Sequence, residues 1–359
     1  MNDEAVDFAL QGRLDEGRCL EMLVRADDPE GAFQLLKTAS KVRDRVFGKE
    51  IHCMGPVGPI LPCVLEPHCL YCRYWKIKPL DVQTLIKAIK TMEQLGIRRV
   101  LLVGGASIDG YDHEIVTLVS TLRQEVKADL EVNVGGPLSA HAVRRLKEIG
   151  VVGITASLET INKEAFNRAK PGDSFEGRKA LLEVCGTEGL ELRSIMMVGC
   201  GESDADRVRH LFYLRQFDRL RHLMVSRFTP QPETVWSGHM ACSSVEWAKT
   251  IAIARLILPR VRIGLGGGTG PDDLPLWYLA GGGNQIFGMA VTTGGSGLNQ
   301  SEIAIPVNET VSVVNRLPVI EPYFAGLGCT LTFVDRFARG NAGDGRVPKN
   351  DRRCDDACC

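Results

Sequence analysis

The segment 63–72 reads CVLEPHCLYC, so three of the chain's twelve cysteines lie within ten residues. They are Cys63, Cys69 and Cys72, with the spacing C-x5-C-x2-C. Zinc ligands usually come in fours, and the body of the chain has no second C-x2-C pair. Four thiolates saturate a 4Fe–4S cluster, whereas three leave one iron open to a small molecule. The spacing therefore favours one 4Fe–4S cluster with an open iron over a zinc site or buried thiols.

The residue before the third cysteine is aromatic, Tyr71. This arrangement resembles the cluster loop of the radical S-adenosylmethionine (SAM) enzymes, whose usual spacing is C-x3-C-x2-C. The two additional residues resemble the Hmd co-occurring protein family (HmdB). The resemblance implies SAM as cofactor and its reductive cleavage to methionine and a 5′-deoxyadenosyl radical. It also implies a role in biosynthesis of the iron–guanylylpyridinol cofactor of [Fe]-hydrogenase. The implied partners are a small-molecule substrate such as a pyridinol precursor, and a reductant such as ferredoxin or flavodoxin.

Composition limits the class of protein. The chain has 359 residues, which fits an α/β barrel of about 250 residues with extensions. Its 43 basic and 44 acidic residues nearly cancel, so nothing indicates a nucleic-acid partner. No apolar run reaches the ~18 residues of a membrane helix. Twelve cysteines behind an acidic N-terminus, without a signal peptide's basic start, predict a reducing compartment, and we expect the cytoplasm.

Strand and helix patterns alternate from about residue 50. Beyond a first strand near 50–55, the predicted strands are 99–103, 130–134, 151–158, 191–198, 222–228, 261–265 and 285–287. The helical patterns between them are 81–95, 112–127, 139–149, 174–188, 203–217, 244–257 and 272–280. Eight such units predict an α/β fold, a (βα)8 TIM-type barrel, with an open doubly wound sheet as the alternative.

The predicted organisation has three parts. Residues 1–49 form an N-terminal helical extension, in which Asp28 caps a helix that begins at Pro29. Residues 50–335 form the radical SAM barrel. Residues 336–359 form a polar, cysteine-containing tail, which we expect to be disordered.

The segment 151–159 carries three polar residues at alternate positions. Strand alternation turns Thr155, Ser157 and Glu159 to one face, which we expect to line the barrel lumen. The segment resembles one in the biotin synthase and HydE-type subgroup that holds the SAM ribose. That resemblance implies cofactor binding by Ser157 and Glu159, and a substrate contact by Thr155.

The same resemblance implies further cofactor residues. Arg178 matches an arginine that pairs with the SAM carboxylate, as its planar fork suits. Met197 lies where backbone groups meet the adenine. Gly104 and Gly105 follow the second strand, where many radical SAM enzymes have Gly-Gly-Glu. The acid is missing here, so backbone carbonyls are the expected acceptors of the methionine amine.

Other assignments are weaker, and alternatives stay open. Arg227 and Gln231 match the sixth-strand end of HydE-like maturases and are substrate-side candidates. Cys354, Cys358 and Cys359 are candidates for a second metal site. The chain is alternatively another biotin synthase-like or HydE-like enzyme, such as a sulfur inserter, a mutase or a different metallocofactor maturase. A non-catalytic iron–sulfur scaffold or carrier is the alternative from another class.

Overall fold

Eight parallel strands follow one another around a barrel in a computed structural model, which describes residues 3–293 and 302–334. Strands β1 to β7 pair in sequence order, and β8 pairs in parallel with β1. Between β7 and β8 the Gly283 N–H donates to the Ile263 carbonyl at 2.9 Å. The strands are β1 (Glu50–Val57), β2 (Arg99–Ala106), β3 (Asp129–Gly135), β4 (Val151–Thr155), β5 (Glu191–Val198), β6 (Leu220–Arg227), β7 (Arg262–Leu265) and β8 (Gln285–Phe287). The predicted TIM-type barrel is confirmed.

Helices cover the outside of the strands, and several begin at side-chain caps. Asp81, Ser139, Ser174 and Ser203 each accept a backbone N–H from three residues on, which satisfies a donor of the first turn. The helices of this layer are α4 (Val82–Gln94), α5 (Asp112–Glu125), α6 (Ala140–Glu148), α7 (Lys163–Ala169), α8 (Phe175–Glu188), α9 (Asp204–Arg215), α10 (Ser244–Ile257) and α11 (Leu274–Leu279). Sequence periodicity predicted all of them except α7.

The N-terminal helices pack on the side of the barrel. They are α1 (Asp3–Leu10), α2 (Glu16–Arg25) and α3 (Pro29–Phe47). The Asp28 carboxylate accepts the Gly31 N–H at 3.1 Å, so the predicted cap before Pro29 is confirmed. Helix α3 lies against α10 and α11, and the apolar side chains of the extension belong to the same core as the barrel.

An additional layer follows β8. Strands β9 (Met289–Thr293), β10 (Ile303–Pro306) and β11 (Val311–Asn315) form an antiparallel sheet in the order β10-β11-β9. Helix α12 (Leu317–Ala325) and β12 (Thr330–Thr332) come next, and β12 pairs with the start of β1. The predicted tail and its three cysteines lie outside the described residues. Among those described, no helix is both long and apolar enough to span a membrane.

Candidate active site

The loop after β1 carries the three cysteines and lies along the end of β2. The Ile60 N–H donates to the Val103 carbonyl at 2.9 Å, and the Val64 N–H to that of Ala106 at 2.8 Å. A Cβ at Gly105 would lie 2.2 Å from the backbone nitrogen of Cys63. Gly105 therefore permits the close approach of the cysteine loop to β2.

Gly104 is similarly enclosed, because its Cβ would lie 2.9 Å from Val134 Cγ1. The structure thus accounts for both glycines by packing. Their contribution to SAM binding stays a prediction.

The three thiols lie close together and are partly exposed at the barrel mouth. Burial raises the pKa of Cys69 to about 12, and the nearby Cys72 thiol also raises it. Burial likewise raises the pKa of Cys72, with a further contribution from Cys63. Iron binding would deprotonate such thiols outright, because the metal's charge outweighs desolvation. Three converging sulfur donors on one loop fit a 4Fe–4S cluster with an open iron.

The lengthened part of the cysteine loop, between Cys63 and Cys69, has defined contacts, as does the residue that follows it. The Leu70 N–H donates to the Ala169 carbonyl at 2.9 Å. A Cβ at Gly172 would lie 2.3 Å from the Pro67 carbonyl oxygen, so this position needs glycine. The His68 ring stacks on Trp75, with centroids 4.3 Å apart. The lengthened loop therefore rests on the turn that follows α7.

A largely buried carboxylate, with 17% of its side chain exposed, faces this loop. Glu159 has a positive φ of 65°, and its carbonyl accepts the Met197 N–H at 2.9 Å. One carboxylate oxygen accepts the Tyr71 hydroxyl, and the other lies 3.0 Å from Lys170 Nζ. Burial alone would raise the pKa of Glu159, but Lys170, Arg178 and the Tyr71 hydroxyl together lower it. Glu159 is therefore a fixed anion at neutral pH.

Lys170 and Asp173 complete the network, and the sequence analysis did not find them. Lys170 Nζ lies 3.3 Å from Asp173 Oδ2. Asp173 also accepts two bonds from Arg178, at 3.1 Å from Nε and 2.6 Å from Nη2. Burial and Arg178 act to lower the pKa of Lys170, but Glu159 and Asp173 outweigh them and raise it. The available signal was the turn Lys170-Pro171-Gly172-Asp173, directly before the cap of α8.

Three of the predicted cofactor residues, Tyr71, Glu159 and Met197, come together here. Tyr71, Glu159, Lys170 and Met197 line one small cavity at the mouth, with Cys200 at its wall. Ser157 is buried two residues before Glu159. The structure therefore places these groups beside the cysteine loop, while their contacts to SAM stay predictions.

The substrate-side candidates lie in different places. The Thr155 hydroxyl is buried without a hydrogen-bond partner at the end of β4. Arg227 Nη2 donates to Asp273 Oδ2 at 3.2 Å, and its guanidinium lies over Trp247 of α10. Gln231 Nε2 donates to the Thr229 carbonyl at 3.4 Å. The proposed substrate roles of all three stay predictions.

A carboxylate–imidazole group deep in the barrel could suggest a second metal site. Glu131, Glu191 and His222 place one ligand atom each within 4.8 Å of one another. Arg99, however, binds both carboxylates, and Arg193 Nε binds Glu131 at 2.8 Å. Burial and these arginines lower the pKa of His222 well below its ordinary value. A cation would have to displace guanidinium groups, so this layer is an internal ion-pair network rather than a metal centre.

Comparisons with known proteins agree with this geometry. Residues 63–214 match the radical SAM superfamily model. An uncharacterized protein of Methanocaldococcus jannaschii is 31% identical over 290 residues, which cover 78% of this chain and 76% of that protein. Biotin synthase of Acetivibrio thermocellus is 27% identical, over 72% of this chain and 84% of that one.

Solved structures show the same fold. Methylornithine synthase (PylB) superposes with a TM-score of 0.73 at 21% identity, covering 91% of this chain and 97% of that one. The [FeFe]-hydrogenase maturase HydG of Carboxydothermus hydrogenoformans gives 0.72 at 20% identity, covering 93% and 80%. With its cysteine loop at the mouth of a matching barrel, the chain belongs to the radical SAM superfamily and is an enzyme of the reductive SAM-cleaving type.

Proposed function

We propose that this enzyme acts in the biosynthesis of the iron–guanylylpyridinol cofactor of [Fe]-hydrogenase. The observation that carries the proposal is the C-x5-C-x2-C spacing, which resembles the HmdB family. The segment between the first two cysteines is integrated into the fold, because Glu66 and Pro67 pack directly on Gly172. The long loop and the turn 170–173 therefore form one unit.

The bound cluster and SAM together would supply a one-electron cleavage that yields methionine and a 5′-deoxyadenosyl radical. Cys63, Cys69 and Cys72 would hold the cluster. Glu159 would accept hydrogen bonds from the ribose diol, because Lys170 keeps it ionised and Tyr71 restricts its orientation.

Arg178 would bind the SAM carboxylate. Asp173 occupies its Nε and Nη2 and leaves Nη1, which has no hydrogen-bond partner among the described residues. The barrel walls together with the bound substrate would exclude water from the reacting groups.

A second candidate is another reaction of the biotin synthase-like subgroup. Sulfur insertion of the biotin type needs a second cluster within the barrel. Within residues 3–293 and 302–334, the deep lumen layer holds Arg99, Glu131 and Arg193 in mutual ion pairs. Met54 points into the lumen, where it contacts Arg193. Its neighbour in the strand, Cys53, therefore points outward, packs near Gly288 and is not available to a cluster in the lumen. These residues favour a mutase or maturase reaction over sulfur insertion.

The test uses enzyme reconstituted with iron and sulfide without oxygen, then supplied with SAM, dithionite and a synthetic pyridinol precursor. We expect 5′-deoxyadenosine above a Cys69→Ala control, together with a change in the mass of the pyridinol. Deoxyadenosine with an unchanged pyridinol would instead favour another subgroup reaction. No deoxyadenosine above the control would favour the scaffold. Ferredoxin or flavodoxin replacing dithionite would identify the proposed reductant, in the cytoplasmic setting that we propose.

A further inference from the structure

The upper part of the barrel lumen is accessible to solvent. Arg193 of β5 reaches Gln285 of β8 at 2.8 Å and Met54 of β1 at 3.3 Å, so its side chain points into the lumen. Strand alternation assigns the same direction to every second residue. Asn133 and Ile195 are partly exposed, although they lie in strands whose outward residues are buried. Since helices cover the outer face, this exposure belongs to the lumen.

Two polar side chains lie next to each other in this open part. The β3–β4 register pairs Val132 with Ile154. The next residues along the two strands, Asn133 and Thr155, are therefore neighbours across the sheet. Adjacent strands are about 4.8 Å apart, so both side chains reach one ligand group. The Thr155 hydroxyl is buried without a partner. The Asn133 amide likewise makes no hydrogen bond within the part of the chain that the structure describes. Buried polar groups normally have partners, so a ligand is the expected partner of the Thr155 hydroxyl.

Most of the charged residues below this pair already engage one another. Arg193 binds Glu131 through Nε at 2.8 Å, and Arg99 binds both Glu131 and Glu191. Arg262, also in this layer, has an interaction of its own. The two guanidinium groups of Arg99 and Arg193 therefore balance the two carboxylates. A substrate carboxylate or ammonium placed beside Asn133 would have to compete with these existing pairs for a counter-charge, at a cost of several kcal/mol.

We propose that Asn133 and Thr155 bind an uncharged group that presents a hydrogen-bond donor and an acceptor side by side. A lactam or a carboxamide has this edge, and the amide of Asn133 and the hydroxyl of Thr155 each both donate and accept. Val103 is the neighbour of Asn133 on β2, and Ile195 lies two residues beyond the Thr155 neighbour on β5, so apolar side chains near the pair suit a flat or aliphatic body. This assignment rests on the proposed function, which places the substrate in the lumen. It adds the chemical class of the substrate group that lies at the buried end.

The test is ligand-observed saturation-transfer NMR on the reconstituted enzyme with SAM bound. The probes are 2-pyridone as an uncharged lactam, benzoate as an anion of similar size and L-lysine as a charged amino acid. We expect 2-pyridone alone to bind. Its dissociation constant should rise about five- to tenfold in Asn133→Leu and in Thr155→Val, as loss of one hydrogen bond implies. Thr155→Ser keeps the hydroxyl and should bind as the wild type does.

Thr121→Val, on the exposed face of α5, is the matched control and should change nothing. Iron content checks that each variant is folded around its cluster. The assignment is overturned if 2-pyridone does not bind, if both lumen variants bind it normally, or if benzoate or L-lysine binds in an Asn133-dependent manner. Formation of 5′-deoxyadenosine and conversion of the pyridinol are measured separately. A failure of the probes with pyridinol conversion intact thus refutes this inference and not the proposed function.

Discussion

Asp173→Asn tests the buried network that orients Arg178. Burial alone would raise the pKa of Asp173, but Arg178, Lys170 and the Ser174 N–H lower it from 3.8 to about 2. This fall corresponds to about 2 kcal/mol of folding free energy at neutral pH. Because the folded-state pKa is the lower one, the contribution is present above pH 4 and is lost as the pH falls through about 2.

The free energy of unfolding is measured by urea titration of the reduced, cluster-free chain. We expect Asp173→Asn to lose on the order of 2 kcal/mol, constant from pH 5 to 7 and reduced to about half near pH 3. Asp7→Asn removes an exposed ion pair with Arg45, at 2.7 Å, and should cost less than about 1 kcal/mol. Equal losses in the two variants, or a loss for Asp173→Asn that is unchanged at pH 3, would refute the reasoning.

Three further predictions concern the cluster and SAM. Glu159→Gln should raise the KM for SAM at least about tenfold, since hydrogen bonds to charged groups contribute ~1.5–3 kcal/mol; an unchanged KM in steady-state assays of 5′-deoxyadenosine contradicts the ribose assignment. Gly105→Ala should lower the amount of bound iron, because the new Cβ would lie 2.2 Å from the cysteine loop. The control Gly238→Ala has nothing within 4 Å of its new Cβ and should keep about four irons per chain, as measured by a colorimetric assay. Cys72→Ala should lose the cluster absorbance while Cys185→Ala, a buried thiol in α8, retains it; similar spectra for the two would contradict the three-cysteine site.

The succession of strands and helices was predictable from the sequence because each unit repeats a strong local signal. Alternating apolar strands and capped amphipathic helices recur through residues 50–287, and the right-handed βα connection then dictates a parallel barrel. The cysteine loop was predictable for a different reason, since its ligands are close together in sequence. Both features depend on short-range patterns.

The missed features depend on contacts between distant segments. Lys170 reads as an ordinary surface residue, and only the fold places its ammonium between Glu159 and Asp173. The antiparallel sheet after β8 was also missed, because its strands are short and lie beyond the repeating strand–helix pattern from which the other strands were predicted. The pairing of Asn133 with Thr155 required the β3–β4 register, which the sequence alone does not determine.

The central claim is that three cysteines hold a 4Fe–4S cluster whose remaining iron binds SAM. The most direct measurement is low-temperature electron paramagnetic resonance of the dithionite-reduced, reconstituted enzyme, recorded before and after addition of SAM. We predict the signal of a reduced 4Fe–4S cluster that shifts when SAM is added, with about four irons per chain. Bound zinc in place of iron, or a cluster signal that SAM leaves unchanged, would contradict the account.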